Sequence, residues 1–285
     1  MAEQPTDLYF SFLLTFSNLE PMTILSVFFL TLARVVPILV LAPFMGGKNL
    51  PVPVRIMFCS ALVLLFLPKN LLSIQSNIPY NLVFIGLMLK ELLIGVVLGF
   101  LASIPFYVVQ MSGSFIDHSR GSSALQVNDP TTQSQTGPIG ILFNYVLLAV
   151  FFGLNGPFLF FDGLAQSYAL IPVDQLVSPL ILAAKGPYWK QTGALAGLMF
   201  ALSVQLAAPA IIGILFTDLF LGIANRLAPQ VQIVFLGISL KSWVGIALLT
   251  ASWALVINVM GKESIAWIKT INILIQKAGA IQSVQ

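Results

Sequence analysis

A chain of 285 residues with 58% hydrophobic and only 8% charged side chains, at a mean hydropathy of +0.97, cannot clothe a water-facing surface. A soluble domain carries about 25% charged residues, and the same apolar excess excludes intrinsic disorder. The net charge of +3 comes from 13 basic and 10 acidic residues without any Lys/Arg cluster to hold phosphates, so no nucleic-acid partner is expected.

Cys59 and His118 are the only residues of their types. An intrachain disulfide, a thiolate metal site and His-pair metal motifs are therefore excluded, and neither a metal nor a cofactor is expected.

In chain order, the leading residues Met1 to Asp7 are acidic where a secretory signal would be basic, so the N-terminus is expected to be retained. Residues 8–19 are expected to form a short interfacial helix before Pro21. Six principal hydrophobic segments follow, at about 22–44, 54–67, 81–110, 139–161, 191–219 and 232–260. Absence of charge delimits them, because an ionised side chain at mid-bilayer costs roughly 2.5–3.5 kcal/mol. The segment 54–67 would reach only about 21 Å as a helix, too short for a hydrocarbon core about 30 Å thick.

The expected fold is all-α: a membrane-associated bundle of about six helical segments, several kinked or hairpin-like. We read it as one domain over 1–285, with a central polar loop at 111–137 and a short basic tail at 262–285. Lys and Arg divide almost evenly between the two sides of such a bundle, so they set no orientation. Pro105 and Pro209 fall inside long segments and favour kinks. Glu91, Gly95 and Gly99 share one helix face, and Gly193, Gly197 and Ala201 repeat the pattern. Close packing of helices over small residues accounts for both stripes.

The polar stretch 111–137 holds nine Ser/Thr and three Gly, together with Asp117, His118 and Arg120. It has too little hydrophobic periodicity for a membrane helix. It is either an extramembrane connector or a re-entrant, pore-lining element. Asp117 and Arg120 are three apart and pair if that turn is helical.

Enzyme chemistry finds little support. Asp117, His118 and Ser119 are adjacent and cannot form a triad among themselves. Glu91 and Asp218 lie in apolar surroundings, where an acid either titrates or is paired. No phosphate-binding or dinucleotide fingerprint occurs. In 217–241, a helix carrying Asp218 and Arg226 runs into Pro229-Gln230, and a second apolar helix follows. This is a helical hairpin whose polar residues need partners.

The order of these features resembles the FliR/SctT family, the single-copy export-gate subunit of flagellar and virulence type III secretion systems. The resemblance spans roughly 20–260. It rests on Ala33-Arg34 before Pro37 and Pro43, on Pro53-Val54-Arg55, and on Glu91, Gly95, Gly99 and Phe100 in the arrangement E-x-x-x-G-x-x-x-G-F. Gly113, Asp117, Gly121 and Asp129-Pro130 follow, then Asn155-Gly156, Ser167 and Pro172. The stretch from Asp218 through Gly222, Arg226 and Pro229-Gln230 to Gly237, Leu240 and Lys241 completes the set.

The resemblance implies a non-enzymatic part in protein export at the bacterial inner membrane. Two other small helical membrane subunits would join the chain in a helical complex around a channel for unfolded proteins. Larger export-gate and switch subunits would lie nearby. Arg34, Glu91, Asp218 and Arg226 would be buried against partner subunits, with Gly95, Gly99, Asp117 and Arg120 as further packing or polar positions.

The family's pore plug would fall on Gly121, Ser122, Ser123, Ala124, Leu125, Gln126, Val127 and Asn128. Flagellar relatives carry phenylalanines there, whereas this chain offers Leu125 and Val127, which leans toward the virulence branch. The short tail after Gly261 is expected to carry no fused partner domain. The alternative function is a small-molecule secondary transporter with Glu91 and Asp117 as ion-coupling acids, but repeated halves are not visible. An intramembrane enzyme using His118 is the second rival.

Overall fold

The computed structural model describes residues 20–46, 50–74, 78, 80–121, 127–128, 135–176, 187–227 and 233–282. Among them are eight α-helices: α1 (Pro21–Leu41), α2 (Val52–Leu72), α3 (Leu82–Ser119), α4 (Pro138–Gly153), α5 (Gly156–Leu170), α6 (Pro187–Leu227), α7 (Ile233–Ala251) and α8 (Trp253–Gln282). A single 3-10 turn follows α1 at Pro43–Met45. Two very short strands, β1 (Val127–Asn128) and β2 (Gln135–Thr136), pair antiparallel with Val127 opposite Thr136. The chain is all-α as expected, since this small ladder is the only strand pairing among the described residues. The expected interfacial helix at 8–19 lies outside the described residues.

Proline fixes several helix starts. α1 opens on Pro21, α2 carries Pro53 in its first turn and α4 opens on Pro138. At those positions a missing N–H leaves nothing unsatisfied. Pro105 and Pro209 lie within the continuous helices α3 and α6.

Three expectations need correction. First, the segment 54–67 is the middle of a 21-residue helix, about 32 Å long at 1.5 Å per residue and so able to span. Charge does not bound it, since Arg55 and Lys69 sit within the terminal turns. There Arg55 donates to the Leu50 carbonyl (3.3 Å) and Lys69 to the Ala165 carbonyl (3.0 Å). Long cations at helix ends keep their charged heads at polar partners while their stems cover apolar surface.

Second, residues 111–119 are not loop but the last turns of the 38-residue α3. Their hydroxyls bond back along the helix, Ser114 to the Gln110 carbonyl (3.0 Å) and Ser119 to the Phe115 carbonyl (2.8 Å). A polar stretch satisfied in this way needs no water.

Third, 262–282 is not a tail, while two of the long segments are broken, in keeping with the expected kinked bundle. The break between α4 and α5 falls at Leu154 and Asn155, with Asn155 left-handed at φ 58°, a conformation Asn tolerates better than most residues. The break between α7 and α8 falls at Ser252, whose hydroxyl bonds the Leu248 carbonyl at 2.8 Å. Residues 262–282, expected in a tail, continue α8, which carries Lys262 and Lys269.

Among the described residues, four helices are long and apolar enough to cross a membrane: α1, α2, α3 and the Gly197–Leu227 part of α6. The count rises to six if the bent pairs, α4 with α5 and α7 with α8, each form one span. Contacts group the chain into two compact units. The first comprises 1–103, 157–190 and 268–285, with Val27, Leu30, Val35, Ile38, Val63 and Leu87 in its core. The second comprises 104–156 and 191–267, with Phe106, Ile116, Phe143, Leu147, Phe151 and Ile214 in its core.

Candidate functional site: a buried ion cluster and a clasped loop

In the first unit the glycine stripe brings two backbones together. A Cβ on Gly95 would collide with the Arg34 carbonyl oxygen, and one on Gly99 would stand 3.0 Å from Ile38 Cα and 3.1 Å from the Pro37 carbonyl oxygen. Only glycine lets α3 lie this close to α1, so the stripe is used within the chain.

The approach places Arg34 of α1 against Glu91 of α3. Arg34 Nε lies 2.5 Å from Glu91 Oε2 and Nη2 lies 2.9 Å from Oε1. The guanidinium also donates to Ser167 Oγ (3.1 Å) and to the Ile171 carbonyl (2.9 Å), and it stacks over the Tyr168 ring at 4.1 Å from the centroid. Lys90 completes the cluster, with Nζ 2.6 Å from Glu91 Oε1 and donating to the carbonyls of Pro172 (2.7 Å), Val173 (3.4 Å) and Gln175 (2.9 Å). Tyr168 donates to the Thr31 carbonyl (3.4 Å), and Thr31 Oγ1 accepts from Asn70 Nδ2 (3.0 Å), which brings α2 into the network.

Neither Arg34 nor Glu91 has any exposed side-chain surface. A buried ion pair persists only when its remaining donors and acceptors are also satisfied, and this one meets that condition through α5 and the segment after it. Two cations at the C-terminal end of α5 also complement its dipole. Arg34 and Glu91, expected to meet partner subunits, meet each other. Lys90 and Tyr168 were missed. The available signal was Lys90 beside Glu91, two adjacent charges in an apolar run.

In the second unit Asp117 joins two helices. Its Oδ1 accepts from Arg120 Nε (3.0 Å) and Nη2 (2.6 Å), and its Oδ2 accepts from the Ile139 backbone N–H (3.0 Å) in the first turn of α4. The N-cap of α4 is Gly137, which has no side chain to satisfy the free N–H groups there. A Cβ at Gly137 would fall on the Asp117 carboxylate. Asp117 thus supplies, from the preceding helix, the acceptor that an Asp or Ser N-cap normally provides. Arg120 also reaches Ser242 Oγ on α7 at 3.4 Å.

Two further contacts lie beneath this bond. Ser114 Oγ and Thr136 Oγ1 are 3.0 Å apart, and a Cβ on Gly113 would collide with the Gly140 backbone. Of the expected plug, Gly121 takes φ +83°, beyond most side-chain-bearing residues, and Val127 and Asn128 form β1. Ser122, Ser123, Ala124, Leu125 and Gln126 lie outside the described residues.

Asp218 and Arg226 are not buried in the chain. Asp218 on α6 pairs with Lys241 on α7, and both side chains are partly exposed. Arg226 is exposed near the end of α6. Leu215, Phe216, Leu219 and Phe220 around Asp218 are exposed as well, so no element among the described residues covers that face. His118 is exposed, and Asp117 is committed to Arg120 and Ile139. Among the described residues no three His, Cys, Asp or Glu side chains come together as a metal site.

Long apolar helices, broken helix pairs and charges neutralised inside the fold define a multi-pass membrane protein. Residues 25–265 match the family of bacterial export proteins, family 1. The chain belongs to this family, the FliR/SctT family of type III secretion export proteins. It is 29% identical to the flagellar biosynthetic protein FliR of Bacillus subtilis over 273 residues, 96% of this chain and 97% of that protein. It is 30% identical to the secretion system apparatus protein SsaT of Salmonella typhimurium over 172 residues, 60% of this chain and 64% of that one. With the Yop proteins translocation protein T of Yersinia pestis the identity is 29% over 161 residues, 56% of this chain and 60% of that one.

Proposed function

We propose that the chain is a non-enzymatic component of the type III secretion export apparatus, forming part of the protein-conducting gate in the bacterial inner membrane. The observation that carries this reading is the family match over 25–265, which takes in the Arg34–Glu91 cluster, the Asp117 clasp and the loop between α3 and α4. Relatives named for flagellar biosynthesis and for virulence-type secretion support a role in export common to both branches.

The proposed plug is the segment Gly121–Asn128, which closes the resting pore to ions. Its small residues suit a part that must yield to an unfolded protein, and Leu125 and Val127 suffice to dewet a narrow constriction. The motive energy comes from other components, because the sequence carries no nucleotide site. Two other small helical membrane subunits cover the exposed apolar faces of α6 and α7, and larger export-gate and switch subunits complete the apparatus. Unfolded secreted proteins are the cargo.

Removing the chain from its host is expected to abolish secretion while other membrane functions continue. Loss of swimming identifies a flagellar system, and loss of an injected or secreted effector identifies a virulence system. Unimpaired secretion through both routes contradicts the proposal.

A further inference from the structure

Within the second unit a groove of about 490 Å³ lies between α4 and α7, walled by Ile139 and Leu142 on one side and by Ile246, Leu249 and Thr250 on the other. Leu142, Ile246 and Thr250 are exposed, so the groove opens along its length to what surrounds the chain. Trp253 lines one end, where its ring meets Phe143 with 6.3 Å between centroids. Arg120 lines the other, with its side chain only 9% exposed. Asp117 holds Arg120 Nε and Nη2, whereas Nη1 meets only the Ser242 hydroxyl among the described residues, at 3.4 Å. From Ser242 to its end at Ala251, α7 rises about 14 Å. That is close to half of a hydrocarbon core about 30 Å thick, the depth of one leaflet.

We propose that this groove holds one acyl chain of a phospholipid from the surrounding bilayer, with the lipid phosphate accepting a hydrogen bond from Arg120 Nη1. Charge and polarity fit that occupant: a guanidinium donor for the phosphate at one end, and apolar walls for the chain along the rest. An α-helix about 10 Å across would fill about 1,100 Å³ over the same length, so a partner helix does not enter a groove of about 490 Å³. Lys241, next to Ser242, pairs with Asp218 on α6 and not with the groove, which leaves the face proposed for partner subunits clear.

The test takes the full chain from its native membrane, with whatever stays bound to it, into vesicles of phosphatidylethanolamine and phosphatidylglycerol. The vesicles are doped with a phosphatidylglycerol that carries a diazirine on one acyl chain, and labelled peptides are mapped after irradiation. The exposed face of α2 around Ile56, Met57, Leu64 and Leu65 serves as the reference for lipid that merely surrounds the protein. Label on 138–142 and 246–253 is expected to exceed that reference. Thr250→Trp fills the groove from an exposed position, and is expected to lower the label there about fivefold or more while α2 is labelled as before. On the unaltered chain, unlabelled phosphatidylglycerol is expected to compete about tenfold better than diacylglycerol with the same acyl chains, the effect of one charge-assisted hydrogen bond.

Label no denser in the groove than on α2, or label that a folded Thr250→Trp chain leaves unchanged, overturns the proposal. Equal competition by diacylglycerol removes the part played by the phosphate and overturns it too. The competition needs no variant, so it decides the matter even where Thr250→Trp fails to fold. A benzophenone amino acid at Leu142 is expected to crosslink to lipid in the native membrane. Crosslinks to another protein, or to 122–134 of the same chain, in place of lipid would assign the groove to that segment and overturn the proposal.

Discussion

Arg34 and Glu91, 57 residues apart in sequence, meet as a bidentate ion pair with no exposed side-chain surface on either partner. The pair exists because Gly95 and Gly99 let α3 approach the backbone of α1, and it holds α5 through Ser167, Tyr168 and the Ile171 carbonyl. An arrangement so fully engaged inside the chain is a structural fastening, not a carrier that shuttles ions to and from solvent.

Glu91 serves both Arg34 and Lys90, so removing its charge strands two buried cations, which costs about 3–5 kcal/mol or more, whereas removing Arg34 leaves Glu91 paired with Lys90 and costs less. Glu91→Gln and Arg34→Met are each expected to lower the amount of folded chain in the membrane and its thermal stability in detergent. The double change Arg34→Met with Glu91→Leu strands Lys90 alone where Glu91→Gln strands two cations, and is expected to recover part of that variant's loss. A double variant no better than Glu91→Gln would show that the rest of the cluster, not the pair, sets the stability.

Lys90 shares Glu91 with Arg34 and has further partners of its own. Its ammonium donates to three carbonyls in 172–175, and hydrogen bonds to a charged group contribute about 1.5–3 kcal/mol each. Lys90→Met is expected to leave α1 and α3 packed but to loosen the segment after α5. Hydrogen exchange at 171–176 should then accelerate at least tenfold while α1 stays protected.

The glycines separate by what surrounds them. Gly95→Ala forces a Cβ onto the Arg34 backbone, an overpacking that costs about 1–3 kcal/mol or more. Gly197 and Gly222 have nothing within 4 Å of an added Cβ. Gly197→Ala is expected to leave the fold of the chain intact. Stability of the purified chain checks both, and equal tolerance at the two sites would contradict the close α1–α3 approach.

Much of this was legible in the sequence where the signal is local. The helices announce themselves through apolar runs, the Glu91–Gly95–Gly99 face through a spacing of four, and the Asp117–Arg120 pair through a spacing of three. The partner of Arg34 was not legible, because nothing near position 34 or 91 encodes which helix lies across from it. The length of α2 was misread because Arg55 and Lys69 were treated as ends of the helix, when their long stems let them sit inside its terminal turns. The turn 111–119 was misread because its serines look like loop residues until their hydroxyls are seen bonding back along the helix. The bond from Asp117 to Ile139 needs the two ends of a loop to meet, and composition does not carry that information.

Asp218 and Lys241 form a partly exposed pair within an exposed apolar face. Exposed pairs contribute about 0–1 kcal/mol, so Asp218→Asn is expected to leave the stability of the isolated chain unchanged. Under the proposed function it is expected to reduce co-purification with partner subunits. A variant that destabilises the chain alone and leaves the complex intact would contradict the assignment of this face.

The central claim is that the chain works only within a multi-subunit export gate, and the most direct measurement is co-purification from its native membrane in mild detergent. Mass spectrometry then identifies what remains bound. The account predicts a large complex holding two other small helical membrane proteins together with this chain. A clean monomer or homodimer, under conditions that preserve other membrane complexes from the same cells, would contradict it.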